Sequence, residues 1–375
     1  MRYRKLGRTG VEVGIIGLGA EYLEFVSRET VISVVNEAVA QGVNYIDLFM
    51  ASPDVRDNFG IALQNRRHQV MIAGHLGAAL KHGQYCRSRD KTVSAEFFTD
   101  LLTRLQTDYI DVLMLHYLDE PDDYRVVFGS GGLLELALKL KREGKARFIG
   151  MSGHRVPVAL QAVNSGSLDV LMFPINPAFD ALPGEVTLEA AKQGVTKGRV
   201  GPTRKELYHA CAVRGVGLVA MKPYGGGVLF NRANPSSIVL TPVQCLNYAH
   251  SQPGVSTVVP GCKNAAEMKT ALAFLEAGDD EKDYSAISAS SLWKLKGSCV
   301  YCNHCLPCPR GIDIGMTIRL ADTAGYRLDE ATVAYYEALP VKASECNECG
   351  ECVERCPFGV DIITSMNRAV DIFGK

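Results

Sequence analysis

Short apolar segments alternate with amphipathic segments through most of the sequence, and this alternation limits the possible folds more than any other feature. The apolar segments are nearly continuous, as is typical of parallel strands with both faces buried. They lie at residues 14–19, 45–48, 70–75, 110–116, 148–153, 170–176, 217–223 and 256–261. Regular alternation over roughly 250 residues predicts an α/β fold, a closed (β/α)8 TIM barrel rather than an open doubly wound sheet. No Gly-x-Gly-x-x-Gly turn opens a helix, which argues against a Rossmann domain.

Two cysteine runs follow the predicted barrel. The run from Cys346 to Pro357 has the C-x2-C-x2-C-x3-C-P spacing of a bacterial [4Fe–4S] protein, and the run from Cys299 to Pro309 differs only in a shorter last gap. In such runs the first three cysteines bind one cluster and the fourth binds the other. The spacing therefore predicts two [4Fe–4S] clusters with crossed ligands. These are Cys299, Cys302, Cys305 and Cys356 for one cluster, and Cys308, Cys346, Cys349 and Cys352 for the other.

Three alternatives to this cluster assignment follow from the same cysteines. The pairing is uncrossed if the shortened first run folds differently. Disulfides need an oxidising compartment, whereas the chain opens on Met-Arg-Tyr-Arg-Lys without an apolar signal segment, so we expect a cytoplasmic protein. Two zinc sites would need only paired C-x2-C units, which the two longer runs exceed. The four cysteines outside the runs, Cys86, Cys211, Cys245 and Cys262, are expected to be mostly buried small apolar residues.

Length and charge set the domain organisation and the classes of partner. A chain of 375 residues exceeds one ordinary core, so we predict a barrel over 1–280 and a small, largely helical domain that carries the cysteine runs over 281–375. Residues 276–284 are the predicted boundary, and 314–337 between the two runs are predicted to be largely helical. A net charge of -1 gives no electrostatic case for nucleic acid or an anionic membrane as partner.

Polar residues stand at the predicted carboxyl ends of several strands, where barrel enzymes place their chemistry. Asp47, His75 and His116 end the second, third and fourth strands, and His154 follows the fifth. Lys222 and Tyr224 end the seventh. One such residue would be read as a hydrogen-bonded core residue, but several on neighbouring strand ends predict a shared site. The long connections at 77–91 and 177–203 follow strand ends as well, so we expect them to shape that site.

At these positions the sequence resembles the aldo-keto reductases. The matching segments are 3–13, 42–47, 104–111, 115–116, 148–152 and 259–261, within a resemblance that spans about residues 1–275. With the cysteine runs included, the chain resembles the branch of that family that carries a C-terminal ferredoxin-like domain. The resemblance implies a tetrad of Asp, Tyr, Lys and His, of which Asp47 and His116 match. Ser52 and His75 stand where the family has Tyr and Lys, so the usual proton donor is missing.

Three replacements for the missing donor follow. His75 or His116 could act as the acid, since imidazolium titrates near neutral pH. Tyr85 or Tyr224 could take the vacant place. Alternatively, Asp47, His75, His116 and His154 could bind a divalent metal, in a site resembling a two-His-one-carboxylate centre. The catalytic set predicted from the sequence is Asp47, His75, His116 and Tyr224.

The resemblance also implies a nicotinamide cofactor, NAD or NADP. By family position, Ser152 and Asn176 would lie at the nicotinamide, Lys222 and Gly225, Gly226 and Gly227 at the pyrophosphate, and Gly261, Lys263 and Asn264 at the adenosine phosphate. Glu267 departs from the Gln that the family prefers, and its charge would repel a 2′-phosphate. A nicotinamide gives up two electrons together whereas a [4Fe–4S] cluster passes one, so a flavin in the barrel is a further candidate.

These features predict an anaerobic oxidoreductase acting on a small carbonyl or hydroxyl compound, with electron transfer through two clusters and a ferredoxin or flavoprotein as redox partner. Two other functions fit the same residues. One is an electron-transfer or partner-docking protein whose barrel has lost its catalytic activity. The other is a metal-dependent lyase or isomerase.

Overall fold

The computed structural model describes residues 1–181, 203–231, 238–289, 297 and 299–375. The chain begins with an antiparallel hairpin of β1 (Tyr3–Lys5) and β2 (Glu12–Gly14). Its turn needs a left-handed residue, which Gly10 supplies with a φ of 75°. Leu6 and Val13 of this hairpin are fully buried against the inside of the barrel.

Eight parallel strands form the barrel, which confirms the predicted TIM fold. The strands are β3 (Leu18–Gly19), β4 (Tyr45–Leu48), β5 (Met71–Leu76), β8 (Ile110–Leu115), β9 (Ala146–Ser152), β10 (Val170–Pro174), β11 (Gly217–Met221) and β12 (Val255–Val259). Each pairs with the next in that order. Parallel bridges from Ile16 to Val258 and from Gly19 to Gly261 close the remaining gap. The carboxyl ends of all eight strands therefore share one mouth.

Helices surround the strands. They are α1 (Arg28–Ala40), α2 (Pro53–Ala62), α3 (Lys91–Arg104), α4 (Pro121–Phe128), α5 (Leu133–Arg142), α6 (Val156–Asn164), α7 (Pro177–Asp180), α8 (Arg204–Arg214), α9 (Pro242–Ser251) and α10 (Ala265–Leu272). Local sequence signals fix their ends: Thr203 and Glu206 form a capping box at the start of α8, and Gly215 ends that helix with a φ of 64°. Beyond α7, the predicted long connection 177–203 lies mostly outside the described residues.

The apolar residues divide into two cores. Inside the barrel, side chains from alternate positions of the strands meet, among them Tyr45, Val112 and Met172. Between strands and helices lies a larger core that includes Phe59, Phe98 and Phe173. Because every strand is buried on both faces, polar side chains reach a common space only where the strands end.

The connection 77–91 after β5 folds into a second hairpin rather than an irregular loop. Its strands β6 (Ala78–Lys81) and β7 (Gln84–Arg87) pair antiparallel around His82 and Gly83, whose φ angles are 53° and 74°. Two successive positive φ angles are typical of the tightest hairpin turns. Arg89 ties the hairpin to the barrel mouth, since its guanidinium donates to the carbonyl oxygens of His116 and Tyr117.

The cysteine runs belong to a helical C-terminal segment that packs on the barrel. After α11 (Asp279–Lys282), it contains α12 (Ile314–Tyr326), α13 (Glu330–Glu337), α14 (Glu351–Arg355) and α15 (Ile362–Phe373). The predicted helical stretch 314–337 is therefore two helices. Tyr284 Oη donates to Val300 O at 2.7 Å, and His209 Nδ1 lies 2.9 Å from Thr323 Oγ1. The bond between His209 and Thr323 fixes the segment against α8.

Candidate active site and cysteine-lined cavities

Four polar side chains at the barrel mouth form one continuous hydrogen-bonded chain, called the relay below. Asp47 Oδ1 lies 2.9 Å from His75 Nε2, His75 Nδ1 lies 2.8 Å from His116 Nδ1, and His116 Nε2 lies 2.5 Å from Tyr85 Oη. Asp47, His75 and His116 are 8%, 4% and 4% exposed. Tyr85, on the β6–β7 hairpin, is 45% exposed. The relay therefore runs from the interior of the barrel to solvent.

Donor and acceptor capacities fix the direction of the hydrogen bonds. An ionised Asp47 can only accept, so His75 Nε2 carries the proton and His75 Nδ1 is left as an acceptor. His116 Nδ1 must then donate to His75, which leaves His116 Nε2 to accept from the Tyr85 hydroxyl. With both histidines neutral, every ring nitrogen of the relay has a partner.

Burial sets the protonation state of the relay. Desolvation, reinforced by the charges of Arg89 and Arg87, holds the pKa of His116 well below its ordinary value. The ring of Phe49 stacks on that of His116, with centroids 5.6 Å apart and an interplanar angle of 14°. Burial also raises the pKa of Tyr85. At neutral pH, Tyr85 is thus a phenol that faces a neutral imidazole.

The structure brings together three of the four residues predicted as catalytic, Asp47, His75 and His116, and adds Tyr85. Tyr224, the fourth, lies in the turn after β11, where its ring packs on Phe230 at a centroid distance of 5.0 Å. Burial raises the pKa of Tyr224 well above its ordinary value. Of the two tyrosines considered from the sequence, the one that reaches His116 is therefore Tyr85.

His154 belongs to a separate pair. Its Nδ1 lies 3.0 Å from Asp119 Oδ2, and its backbone N–H donates to Asp119 Oδ1 at 2.6 Å. Within the described ranges, no three His, Cys, Asp or Glu side chains are arranged to hold a single metal ion. The divalent metal predicted for Asp47, His75, His116 and His154 thus stays a prediction without support from the described residues.

The residues predicted to contact the nicotinamide lie on two strand ends. Ser152 Oγ accepts from the backbone N–H of Tyr117 at 2.9 Å. Asn176 is fully buried; its Nδ2 donates to Lys222 O at 2.9 Å and its Oδ1 accepts from the Phe179 N–H at 3.0 Å. Asn176 therefore couples the end of β10 to the turn after β11.

That turn exposes backbone. Gly225, Gly226 and Gly227 have φ angles of 58°, 69° and 87°, a region that side chains disfavour. A Cβ built on Gly226 or Gly227 would meet nothing within 4 Å. The glycines are thus required by backbone conformation and leave the main chain open to a phosphate.

The segment after β12 is capped by its own acid. Glu267 Oε2 accepts from the Lys263 N–H at 2.8 Å, and Asn264 Oδ1 accepts from the Glu267 N–H at 2.9 Å. Lys263 Nζ lies 5.4 Å from the centroid of the Tyr22 ring, and Gly261 leaves room for that ring, since its Cβ would lie 2.6 Å from a Tyr22 carbon. A carboxylate therefore already occupies one backbone donor at the start of α10.

The cysteines of the two runs line two separate cavities. One is lined by Cys299, Cys302, Cys305 and Cys356. The other is lined by Cys308, Cys346, Cys349 and Cys352. Each set of four is the crossed set that the spacing predicts. Apolar residues such as Phe358 and Met366 complete the walls, and four thiols in an apolar cavity fit an iron–sulfur cluster.

The first cavity lies against the barrel. Lys205 of α8 donates to Cys299 O, and its ammonium stands 5.2 Å from the centroid of the Tyr301 ring. The second cavity is nearer to solvent, because Cys349 is exposed. Of the remaining cysteines, Cys211, Cys245 and Cys262 are buried as predicted, and Cys86 is half-buried on the β6–β7 hairpin.

A model of the Aldo/keto reductase family matches residues 11–244. The chain belongs to this family. A model described as a 4Fe-4S dicluster domain matches residues 298–361, which contain both cysteine runs. The predicted family and its branch with a C-terminal iron–sulfur domain are thereby confirmed.

Curated relatives and solved structures agree. The chain is 29% identical to an uncharacterized oxidoreductase, YqkF, of Bacillus subtilis over 55% of its length and 66% of that protein. It is 26% identical to L-galactose dehydrogenase of Arabidopsis thaliana over 62% of its length and 68% of that enzyme. The aldo-keto reductase AKR11C1 of Bacillus halodurans in its holo form shares the fold with a TM-score of 0.61 at 22% identity, over 78% of this chain and 97% of that one.

Sequence reasoning missed three residues of the mouth. Phe49 stacks on His116, Asp119 pairs with His154, and Arg87 lies over the ring of Tyr117. The adjacent His82 and Gly83, with residues of alternating character on both sides, could have indicated the hairpin that carries Arg87 and Tyr85. Elsewhere, no helix among the described residues is both long and apolar enough to cross a bilayer.

Proposed function

We propose that this aldo/keto reductase interconverts a small carbonyl compound and its alcohol at the barrel mouth, with Tyr85 as the group that gives and takes the proton. The observation that carries the proposal is the unbroken relay from Asp47 to Tyr85. It supplies a phenol where Ser52 leaves the family's Tyr position empty, and an imidazole, His75, where the family has Lys.

The relay can deliver a proton without leaving an unpaired group. With one added proton, His75 is an imidazolium beside the Asp47 carboxylate, and His116 Nε2–H donates to the Tyr85 oxygen. The Tyr85 hydroxyl is then free to donate to the carbonyl oxygen of a substrate. Once it does so, the proton on His116 Nε2 returns to Tyr85 and the proton on His75 Nδ1 returns to His116. The product state is the fully paired neutral chain described above.

The balance of the reaction is that of a carbonyl reduction. The substrate carbon gains a hydride and its oxygen gains the Tyr85 proton, which solvent then restores to the relay through the exposed hairpin. In the reverse direction, Tyr85 accepts the alcohol proton while donating its own to His116. Because Asp47, His75 and His116 are buried, water does not exchange protons with the relay in place of Tyr85.

The chain's own residues fit a nicotinamide nucleotide, which supplies the hydride when bound. Ser152 and Asn176 would orient the nicotinamide amide, the open backbone at Gly226 and Gly227 with Lys222 and Gly225 would hold the pyrophosphate, and Gly261, Lys263 and Asn264 would hold the adenosine end. The support is the Cβ-free space above the glycines. Glu267, bound at Lys263 N, favours NAD over NADP.

We further propose that the two cysteine-lined cavities hold [4Fe–4S] clusters with the crossed ligand sets, in a domain of residues 281–375 beside a barrel of 1–280. The cavity walls support this assignment, since each contains four cysteines and apolar side chains. The clusters would pass electrons singly to or from a redox partner protein, and exchange with a two-electron nicotinamide would require a flavin in the barrel that splits the electron pair. The more exposed Cys349 makes the second cavity the natural point of entry.

The proposal is tested with anaerobically purified protein assayed for carbonyl reduction and alcohol oxidation. Tyr85→Phe removes the proton donor and is expected to lower kcat/KM by about 100- to 10,000-fold, the usual contribution of general acid–base catalysis. Tyr224→Phe is expected to cost far less. The reverse result would assign the donor to Tyr224, and equal activity of Tyr85→Phe and the unaltered protein would overturn the proposal.

A further inference from the structure

Arg87 shares a strand face with the proposed proton donor. Tyr85 and Arg87 are two residues apart on β7, and alternate residues of a strand project from the same face. The Tyr85 hydroxyl reaches His116, so this face of the hairpin points into the barrel mouth. Lys81 pairs with Gln84 across the hairpin, and these two residues occupy the opposite face.

The guanidinium of Arg87 is held in place by an aromatic ring rather than by an acid of the described residues. Its central carbon lies 4.2 Å from the centroid of the Tyr117 ring, a cation–π contact that fixes the plane of the group. Tyr117 in turn lies against His154, with ring centroids 4.6 Å apart. No carboxylate of the described residues forms an ion pair with Arg87.

Arg89, two residues farther along the chain, differs from Arg87 in that its N–H groups have partners. Its Nε donates to Asp123 and its two terminal nitrogens donate to the carbonyl oxygens of His116 and Tyr117. Arg89 is therefore a structural residue whose donors are used. Stacking on a ring engages the face of the Arg87 guanidinium but leaves the N–H groups on its edge available.

The charge of Arg87 acts on the relay. Burial raises the pKa of Tyr85, and Arg87 is the first of the cations that oppose this rise. Burial lowers the pKa of His116, and Arg87 is among the cations that add to this effect. Arg87 is itself exposed, so an anionic group of a bound substrate can reach its guanidinium.

We propose that Arg87 binds an oxyanion group of the substrate, a carboxylate or a phosphate, and thereby selects small carbonyl compounds that carry one. The edge of a guanidinium matches the two oxygens of either group. The two-residue spacing on the strand separates the Cα atoms of Tyr85 and Arg87 by about 7 Å, a distance that a short carbon chain spans. This inference rests on the proposed function, because it names the substrate class of the same site.

Paired substrates test the inference. Turnover of 4-oxopentanoate is compared with that of its methyl ester, and turnover of dihydroxyacetone phosphate with that of dihydroxyacetone, using the cluster-loaded protein. We expect the anionic member of at least one pair to be preferred, and the pair that shows the preference distinguishes carboxylate from phosphate. Arg87→Gln is expected to raise KM for the anionic member by about 10- to 100-fold, the effect of losing a charged hydrogen-bonded pair.

Two variants serve as controls. Lys81→Gln removes a positive charge from the same hairpin but from the opposite face, and is expected to leave the preference intact. Arg87→Lys keeps the positive charge but lacks the paired N–H donors of the guanidinium, so its affinity should lie between those of Arg87→Gln and the unaltered protein. No preference in the unaltered protein, or equal losses for anionic and neutral substrates in Arg87→Gln, would overturn the inference.

Binding separates failure of this inference from failure of the proposed function. Calorimetric titration with 4-hydroxypentanoate and with glycerol 3-phosphate needs no turnover. Affinity that falls with Arg87→Gln but not with Lys81→Gln supports the anion site even if no carbonyl is reduced, an outcome that would reject only the proposed reaction. Failure of the unaltered protein to bind either anion would reject the anion site while leaving carbonyl reduction intact.

Discussion

The barrel mouth and the cysteine-lined cavities differ in how their polar groups are satisfied. At the mouth, Asp47, His75, His116 and Tyr85 are hydrogen-bonded to one another, so the fold alone completes the arrangement. In the C-terminal segment, the cysteines instead surround two cavities walled by apolar side chains. The mouth thus handles protons with groups the chain supplies, whereas the cavities need an inorganic group to become functional. Damage to one region should therefore leave the other intact.

The largest expected effect separates crossed from uncrossed cluster ligands. The intact protein is expected to hold about eight irons, four per cluster. Cys299→Ala combined with Cys356→Ala removes two ligands of one crossed set, so about four irons should remain. Cys299→Ala combined with Cys308→Ala removes one ligand from each crossed set, so almost no iron should remain. Iron and sulfide analysis after anaerobic purification provides the measurement.

If the ligands are uncrossed, the two double variants exchange their iron contents. The barrel offers a further check on the comparison. Because the mouth is complete without the clusters, the hydrogen-bonded pair of His75 and His116 should persist in both variants, visible as unchanged imidazole N–H signals in NMR spectra. Loss of these signals together with the iron would show that the two regions are one cooperative unit.

A smaller effect concerns the contact between the regions. Burial lowers the pKa of His209 from 6.5 to about 4. The unfolded chain therefore binds a proton below pH 6.5 that the folded chain refuses down to about pH 4, so stability falls as the pH is lowered through this window. The contribution of His209 to the loss between pH 7 and pH 5 should be about 2 kcal/mol. His209→Gln should remove this contribution and leave those of His116 and His250, whose pKa values burial also lowers, and thermal unfolding at both pH values would reveal the difference.

The matched control is His68→Gln, at an exposed histidine of the barrel. This variant should retain the full pH dependence. If His209→Gln also retained it, the bond from His209 to Thr323 would not sense pH, and the buried interface between α8 and α12 would contribute nothing to acid sensitivity.

The smallest expected effect concerns cofactor choice. Glu267→Gln removes the charge held at Lys263 N and should improve kcat/KM with NADP relative to NAD by about 5- to 10-fold, a surface-scale electrostatic effect of ~1 kcal/mol. Glu276→Gln makes the same charge change beyond the end of α10 and should leave the ratio unaltered. An unchanged ratio in Glu267→Gln would show that this acid does not face the nucleotide.

Local patterns predicted much of this molecule. Continuous apolar segments indicated all eight barrel strands because both faces of each strand are buried, and strand-end positions indicated Asp47, His75 and His116. Cysteine spacing indicated the two sets that line the cavities, since the number of residues between two cysteines decides whether both can bind the same cluster. Each of these signals depends on residues that are close together in the sequence, or on the rule that the carboxyl ends of barrel strands meet at one mouth.

Tyr85 could not be chosen in the same way. Its position depends on the hairpin of β6 and β7, whereas the sequence predicts only that the connection 77–91 shapes the site. It also depends on the hydrogen bond from Arg89 to His116 O, which holds the hairpin at the barrel mouth. Its place just after a strand favours Tyr224 in the sequence, but in the structure its ring packs on Phe230. Which of two tyrosines meets His116 is thus a question of contacts between distant segments, and sequence intervals do not carry that information.

A double-mutant comparison tests the central claim that Tyr85 acts through the relay. Asp47→Asn lowers kcat/KM by breaking the far end of the relay, and Tyr85→Phe lowers it by removing the donor. If the four residues act as one unit, the variant carrying both changes should be no slower than Tyr85→Phe alone, because the relay has nothing left to serve. Losses that multiply in the double variant would contradict the account.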